Sequence, residues 1–328
     1  MHPANVPADD NQFIKLLVDS LVAQDIEVVN FSWKIALFSK YDVMHVHWPE
    51  SLISSSKKIF SLIKYPLTIS LILRLRIGST PLVWTVHNLE PHEKRSKLYY
   101  LIHKYFDSKN SFKIYMQKNF PPGLRSCYIP HGNYNQLFQR NRAVNIREKS
   151  FTAVSFGNVR PYKNLENLIK HFPSNLGTLV VAGKPITPSY GHHLQDCLLR
   201  NNAGHYVSLN LNQLSERELL DLTLSAEVAI FTYKDIYNSG AVLLALSAPI
   251  PAIVTDSSSM RDLQAEVGRQ WLQIIPAEFD ALDLRQALET LRVFESSRGQ
   301  RSPLSELRSW NFIAKEYLQI YKRANEAF

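Results

Sequence analysis

Five clusters of residues in this 328-residue chain combine types and spacing that suit chemistry. The first is Phe156-Gly157-Asn158-Val159-Arg160-Pro161-Tyr162-Lys163-Asn164, between the apolar run Phe151–Phe156 and the helical pattern Leu165–Phe172. A glycine turn there directs backbone N–H groups outward, and Arg160 and Lys163, three apart, add positive charge, so a phosphorylated ligand suits the turn. Two cations at a helix start oppose its dipole unless an anion sits between them, although two exposed cations are a plain alternative. The second cluster is Thr232-Tyr233-Lys234-Asp235-Ile236-Tyr237-Asn238-Ser239-Gly240-Ala241. Amides of Asn238, Ser239 and Gly240 can face a phosphate, and Asp235 can accept from sugar hydroxyls; helix capping alone also accounts for the Asn and Ser. The third is His45, His47, Trp48 and Glu50. Strand alternation puts both imidazoles on one side, Pro49 stops the strand, and Glu50 lands at its carboxyl end. The fourth, Thr85-Val86-His87-Asn88-Leu89-Glu90-Pro91-His92-Glu93, packs two imidazoles and two carboxylates behind one strand. Its spacing matches no metal-ligand pattern, so contacts to sugar hydroxyls or phosphate are expected. The fifth is Asp9-Asp10-Asn11, a helix N-cap or a source of a general base.

Positioning these clusters requires an alternating α/β chain. Strands are expected at Ile26–Phe31, Val43–His47, Leu82–His87, Phe112–Tyr115 and Ser126–Ile129, with amphipathic stretches at Phe13–Val22, Lys57–Leu75 and Lys97–Phe106 between them. After the polar segment 139–150 a second series begins. Its strands are Phe151–Phe156, Thr178–Ala182, Tyr206–Asn210, Val228–Phe231 and Ala252–Thr255, and its helices are Leu165–Phe172, His193–Asn201, Glu216–Leu224 and Ala241–Leu246. Both series predict parallel sheets covered by helices, whose ligands lie at the carboxyl ends of strands. Leu304–Ala324 carries Leu307, Trp310, Ile313, Tyr317, Ile320 and Tyr321 at helical spacing, a terminal helix with a face to bury. The expected domains are 1–140, 150–303 and the helix 304–328.

The charge of +8, from 37 Lys and Arg against 29 Asp and Glu, suits phosphates or anionic lipid. Residues 51–80 hold Lys57, Lys58, Lys64, Arg74 and Arg76 with no acid, and residues 91–125 hold eight cations against Glu93 and Asp107. Leu, Ile, Phe and Tyr accompany both sets. A solvated basic face or a peripheral contact with an anionic membrane through 57–76 and 94–125 follows. No apolar run is long enough to span a bilayer, and residues 1–12 lack a signal-peptide pattern. Cys127 and Cys197 read as reduced packing residues of a cytoplasmic protein. Nucleic acid is not an expected partner, because no nucleic-acid module pattern accompanies the charge. There is no P-loop, no full Gly-x-Gly-x-x-Gly and no Asp-x-Asp triplet, which argues against ATPase, dehydrogenase and metal-dependent single-domain sugar-nucleotide chemistry.

Two α/β domains, a polar linker, a phosphate turn opening the second and a terminal helix together resemble a GT-B glycosyltransferase. That fold has two Rossmann-like domains, a deep interdomain cleft and a C-terminal crossover helix that packs back on the N-terminal domain. Asp10-Asn11, His47-Trp48-Pro49-Glu50, Thr85–Glu93, Pro130-His131-Gly132-Asn133-Tyr134, Arg160-Pro161-Tyr162-Lys163 and Asn238-Ser239-Gly240 are similar to bacterial GDP-mannose:glycolipid β-1,4-mannosyltransferases of the xanthan-assembly type. The resemblance implies transfer of mannose from GDP-mannose, with inversion, to a polyprenyl-diphosphate-linked glycan at the inner face of the plasma membrane during exopolysaccharide assembly. No metal and no cofactor beyond the nucleotide-sugar donor are implied.

What the resemblance implies for residues is this. Gly157, Arg160, Lys163, Asn238, Ser239 and Gly240 hold the donor diphosphate, His87 contacts the donor sugar and Asp235 its hydroxyls. Asn11, His47, Trp48 and His92 face the acceptor. The base that deprotonates the acceptor is Glu50, then Asp10, then Glu93. Retaining GT-B enzymes commonly carry two Glu around the glycine-rich helix start, where this chain has Tyr237 and Ala245, which favours inversion. A different donor, such as a UDP-sugar or GDP-fucose, and a non-catalytic sugar-nucleotide or polysaccharide-binding protein are the alternatives.

Overall fold

The computed structural model describes residues 1, 11–53, 58–87, 100, 104–106, 111–140, 152–234, 239–294 and 301–327. They fall into two compact units, Met1–Gly132 with Glu306–Phe328, and Asn133–Ser305.

The first unit is built on four parallel strands, β1 (Met44–Val46), β2 (Leu82–Val86), β3 (Ser111–Tyr115) and β4 (Ser126–Tyr128), paired in that order. Alternation assigns each residue to a face. Met44, Val46, Leu82, Trp84 and Val86 share a core with Leu52 and Ile53 of α3 (Glu50–Ile53) and Leu71 and Leu75 of α4 (Lys58–Ile77). The intervening positions, His45 and Thr85, point to the opposite face, where Tyr317 and Tyr321 of the terminal helix meet them. Helix α1 (Gln12–Val22) buries Phe13, Leu16, Leu17 and Leu21 and packs on that terminal helix. Asn11 caps α1 by accepting from the Ile14 N–H at 3.3 Å. A short α2 (Trp33–Phe38) packs beside α4.

The second unit has six parallel strands: β5 (Thr152–Phe156), β6 (Thr178–Ala182), β7 (Val207–Asn210), β8 (Val228–Phe231), β9 (Ala252–Thr255) and β10 (Leu272–Ile275). Their order is β10-β9-β8-β5-β6-β7. The chain therefore winds outward in opposite directions from the β5–β8 pair, and the crevice at the carboxyl ends of those two strands is the topological switch point. Helix α5 (Asn135–Arg140) precedes β5. The crossings are made by α6 (Leu165–His171), α7 (Pro188–Arg200), α8 (Glu216–Ser225), α9 (Gly240–Ser247) and α10 (Ser258–Val267), and α11 (Ala281–Val293) follows β10. Ser215 with Glu218 and Asp280 with Asp283 form reciprocal capping boxes on α8 and α11.

Four expectations need correction. Ile26–Phe31 joins neither sheet among the described residues and has no regular structure, and the Phe31 N–H donates to the Met1 carbonyl instead. Helix α7 starts at Pro188, five residues before His193, because Thr187 caps the Tyr190 N–H and proline suits the first turn. The terminal helix, α12 (Trp310–Glu326), starts late, where Ser309 accepts from the Phe312 N–H; Leu307 lies before it in a 3₁₀ turn and is exposed. Finally, α2, α3, α5, α10, β10 and α11 are absent from the sequence reading, α5 running into the stretch 139–150 expected as a linker, and most of Lys97–Phe106 lies outside the described residues.

Candidate active site

In the second unit the site starts from two glycines. Gly157 ends β5 at φ +95°, and Gly183 ends β6 at φ +143°. The Gly157 N–H donates to Ala182 O at 3.0 Å and Val159 N–H to Lys184 O at 2.9 Å, so sheet pairing runs on into the turn. A Cβ on Gly183 would lie 2.3 Å from the Gly157 carbonyl oxygen, so a side chain there would force the two turns apart.

The turn leads into a 3₁₀ helix, Pro161–Lys163, and Asn164 then adopts φ +55° before α6. Lys163 does not extend into solvent as two cations at a helix start would suggest. It is only 5% exposed, and its Nζ reaches back under the turn to donate to Phe156 O at 3.0 Å. A Cβ on Gly157 would lie 3.0 Å from that Nζ. The ammonium also sits 5.2 Å from the centre of the Tyr233 ring. Burial, followed by repulsion from Arg160, lowers its pKa to about 7. The loop after β8 holds this arrangement: Thr232 Oγ1 donates to Lys163 O at 3.0 Å, and the Lys234 N–H donates to Tyr162 O at 2.8 Å. Both loops leave the switch-point strands. Nearby in sequence, Ser239 is buried and caps α9 through the Val242 N–H at 3.3 Å, and Gly240 is the first residue of that helix. This turn can hold an anion with a cation whose charge responds to it.

In the first unit the site is a hydrogen-bonded set of imidazoles and hydroxyls. His45 Nε2 lies 2.9 Å from Thr85 Oγ1, and its Nδ1 lies 2.7 Å from the Tyr321 hydroxyl. Thr85 Oγ1 is also 3.0 Å from the Tyr317 hydroxyl. Two residues on, just past β1, His47 Nδ1 lies 3.0 Å from His87 Nε2, so one ring donates a single proton to the other. His87 stacks on Trp48 at 4.2 Å, and the Phe13 ring touches His47, His87 and His131. His131, just past β4, directs Nδ1 to Gly132 O at 2.8 Å, while its own carbonyl accepts from Arg308 at 3.0 Å. Burial is the main cause that lowers these imidazoles: His87 to about 3, His131 to about 4, and His45 well below the ordinary value. They are neutral at pH 7. Neutral imidazoles orient hydroxyl groups by donating and accepting hydrogen bonds, and they carry no charge for a phosphate.

Glu50 opens α3, half-buried and two residues past Trp48. Asn11 is engaged as the α1 cap. Asp10, His92, Glu93, Asp235 and Asn238 lie outside the described residues. Thr85, Thr232 and Tyr233 fall inside the sequence clusters, His131 inside a motif of the resemblance, and Tyr317 and Tyr321 on the buried face of the terminal helix, but sequence reading assigns a chemical role to none of them, nor to Gly183. His131 has a usable signal, its place three residues beyond the carboxyl end of β4.

No family model matches the chain. It is 30% identical over 326 residues to a Xanthomonas campestris pv. campestris protein named GDP-mannose:glycolipid 4-beta-D-mannosyltransferase, covering 97% of this chain and 89% of that one. Among solved structures it resembles AviGT4, a glycosyltransferase involved in avilamycin A biosynthesis, with a TM-score of 0.65 at 16% identity over 96% of this chain and 90% of that one. A sucrose-phosphate synthase from Thermosynechococcus elongatus matches with a TM-score of 0.62 at 15% identity, over 99% and 81%. At such identities the likeness is one of fold. With two α/β units and a relative 30% identical across 97% of its length, the chain is a GT-B glycosyltransferase and belongs to the family of the Xanthomonas GDP-mannose:glycolipid 4-beta-D-mannosyltransferase.

Proposed function

We propose that this enzyme transfers mannose from GDP-mannose, with inversion and without a metal ion, to a polyprenyl-diphosphate-linked glycan in exopolysaccharide assembly. The reaction takes place at the cytoplasmic face of the membrane, to which the protein is peripherally bound. The observation that carries the anionic-donor reading is the Lys163 ammonium held beneath the Gly157 turn at the switch point. The donor's identity is taken from the name of the Xanthomonas relative.

In the proposed reaction an acceptor hydroxyl attacks the anomeric carbon of the donor. The bond from that carbon to the β-phosphate oxygen breaks, GDP leaves with the electron pair, and the hydroxyl proton passes to a carboxylate. Lys163 and Arg160 stabilise the charge that grows on the diphosphate, so the protein's own cations serve where a metal would otherwise be needed. Amides of Gly240 and its neighbours add donors, with Ser239 fixing the helix start. Asp235 and Asn238 complete the donor contacts. Glu50 is the favoured base, ahead of Asp10 and Glu93. A carboxylate suffices because the proton leaves late, as the new bond forms. Neutral His87, set by His47 and Trp48, orients sugar hydroxyls, and Asn11 and His92 add to the acceptor contacts.

The test is a donor panel (GDP-mannose, GDP-fucose and UDP-glucose) with a lipid-linked acceptor, with and without EDTA, and product analysis by NMR. A β-linked mannoside formed equally well in EDTA is the expected result. An α-linked product removes inversion, and turnover of another donor removes GDP-mannose. Loss of activity in EDTA removes metal independence. Full turnover by Glu50→Gln moves the base elsewhere.

A further inference from the structure

A surface helix normally turns a polar face to water. Helix α4 does not. Its inner face buries Thr68, Leu71 and Leu75, while Ile63, Pro66, Ile69, Leu73 and Ile77 point outward with only Ser70 and Arg76 among them. Ile63 is 54% exposed, Leu73 51% and Ile77 85%. At 3.6 residues per turn these positions cover roughly 140° of the helix opposite its core face and run about 21 Å along it. Phe38, 83% exposed, sits next to Ser39, whose carbonyl accepts from Arg74 of α4.

The charges within this stretch of sequence have one sign. Residues 51–80 contain five cations and no carboxylate. Three of the cations are anchored to the protein. Lys64 Nζ donates to Ser51 O at 2.8 Å, Arg74 donates to the Tyr41 hydroxyl at 2.6 Å, and Arg76 lies 4.9 Å from the Tyr105 ring centre. A cationic patch meant for electrostatic capture alone would leave its heads free. Here they form a fixed rim, and the apolar residues are what the helix offers. No helix among the described residues is long and apolar enough to cross a membrane. An apolar helix face flanked by cations is the pattern of a helix that lies in a membrane interface.

We propose that this face of α4 docks in the plane of an anionic lipid surface, with Ile69, Leu73 and Ile77 entering the acyl boundary and Arg76 at the headgroups. The proposal rests on the reading that the acceptor is lipid-linked, and it assigns the hold chiefly to apolar burial. Salt therefore weakens the attachment only partly, because screening acts on the charged share alone.

The experiment is flotation of the full chain with vesicles of roughly three parts phosphatidylcholine to one part phosphatidylglycerol, at about 0.1 M and about 0.5 M salt. The wild type and Leu73→Asp/Ile77→Asp are compared, with Leu73→Ser/Ile77→Ser as a milder variant should the first melt early. The wild type should float at both salts, and the variants should bind at least about tenfold more weakly. Variants that float like the wild type, or a wild type that stays at the bottom, overturn the proposal. So does a wild-type dimer, seen by sedimentation velocity, that the variants render monomeric without any flotation, since the stripe then joins two copies. Transfer to a short water-soluble acceptor should be equal in wild type and variants. If the wild type floats, the variants do not, and no donor is turned over, the docking face stands and the transferase reading of donor and acceptor falls.

Discussion

The two units bury titratable groups in opposite ways. In the first, three imidazoles with lowered pKa values, His45, His87 and His131, are tied respectively to hydroxyls, to the His47 ring and to backbone, and they are neutral at pH 7. In the second, one ammonium is tucked under a glycine turn with a pKa of about 7. Desolvation acts on both, since burial always opposes the charged form. The difference lies in what would be gained on binding. A neutral network of ring nitrogens and hydroxyls serves to orient uncharged hydroxyls. A half-charged lysine is destabilised until an anion arrives, so its full charge is available to a ligand that brings negative charge.

The sharpest way to break this comparison is Lys163→Met. If the ammonium stabilises a leaving diphosphate, kcat falls by about 10²–10³-fold, the range for losing one preorganised electrostatic donor. Thermal stability should hold or rise, because an apolar chain replaces a buried cation. A kcat within threefold of wild type, or a collapse in melting temperature, would make Lys163 a structural residue only.

The second prediction concerns acid. The folded pKa values of His87 and His131, about 3 and about 4, lie below the ordinary imidazole value of 6.5. Between those limits the unfolded chain binds more protons than the folded one, so stability is lost as pH falls from about 6.5 toward 4. A few kcal/mol is the expected scale over that window. Melting temperatures taken from pH 7 to pH 4 check it. His87→Gln and His131→Gln should each flatten the slope, and an unchanged slope in both would mean that carboxylates govern the acid limb.

Lys163 gives a window of the same sign at higher pH. Its folded pKa of about 7 lies below 10.5, so its contribution to stability rises with pH between those values. A bound diphosphate restores the charge, so at pH 8 GDP binding should take up close to about one proton. Titration calorimetry in two buffers of different ionisation enthalpy measures that uptake. Equal apparent enthalpies would show that Lys163 does not face the anion.

How much of this was legible in the sequence follows from how local each feature is. The sheets were legible because apolar runs such as Thr178–Ala182 and Val228–Phe231 stand between helical patterns, and the structure reproduces both ranges. The shared face of His45 and His47 was legible because alternation is a property of one strand. The burial of Lys163 was not. Lysine is rarely inside, and the Thr232–Lys234 loop that covers it is distant in sequence. Strand Ile26–Phe31 failed for the converse reason: its pattern is that of a strand, and sheet membership depends on a neighbour. Tyr317 and Tyr321 were legible as one buried helical face, four residues apart. Their hydroxyl partners were not, because Thr85 and His45 lie 232 and 276 residues away.

That last pair sets the smallest expected effect. Tyr321→Phe removes the hydroxyl 2.7 Å from His45 Nδ1 and leaves the ring in place. The exchange costs about 1–3 kcal/mol, because a buried imidazole nitrogen loses its partner and no cavity opens. Tyr317→Phe should cost less, since Thr85 Oγ1 keeps His45 as a partner. Denaturant unfolding of the two variants and of the double variant separates the terms. If the hydroxyls act through one network centred on His45 and Thr85, the double variant costs more or less than the sum by at least about 0.5 kcal/mol. Strict additivity would mean that α12 is held by two independent bonds and by the packing of Trp310 and Ile313. The imidazole set would then be a row of separate neutral groups, and the contrast with the single responsive lysine of the second unit would rest on burial alone.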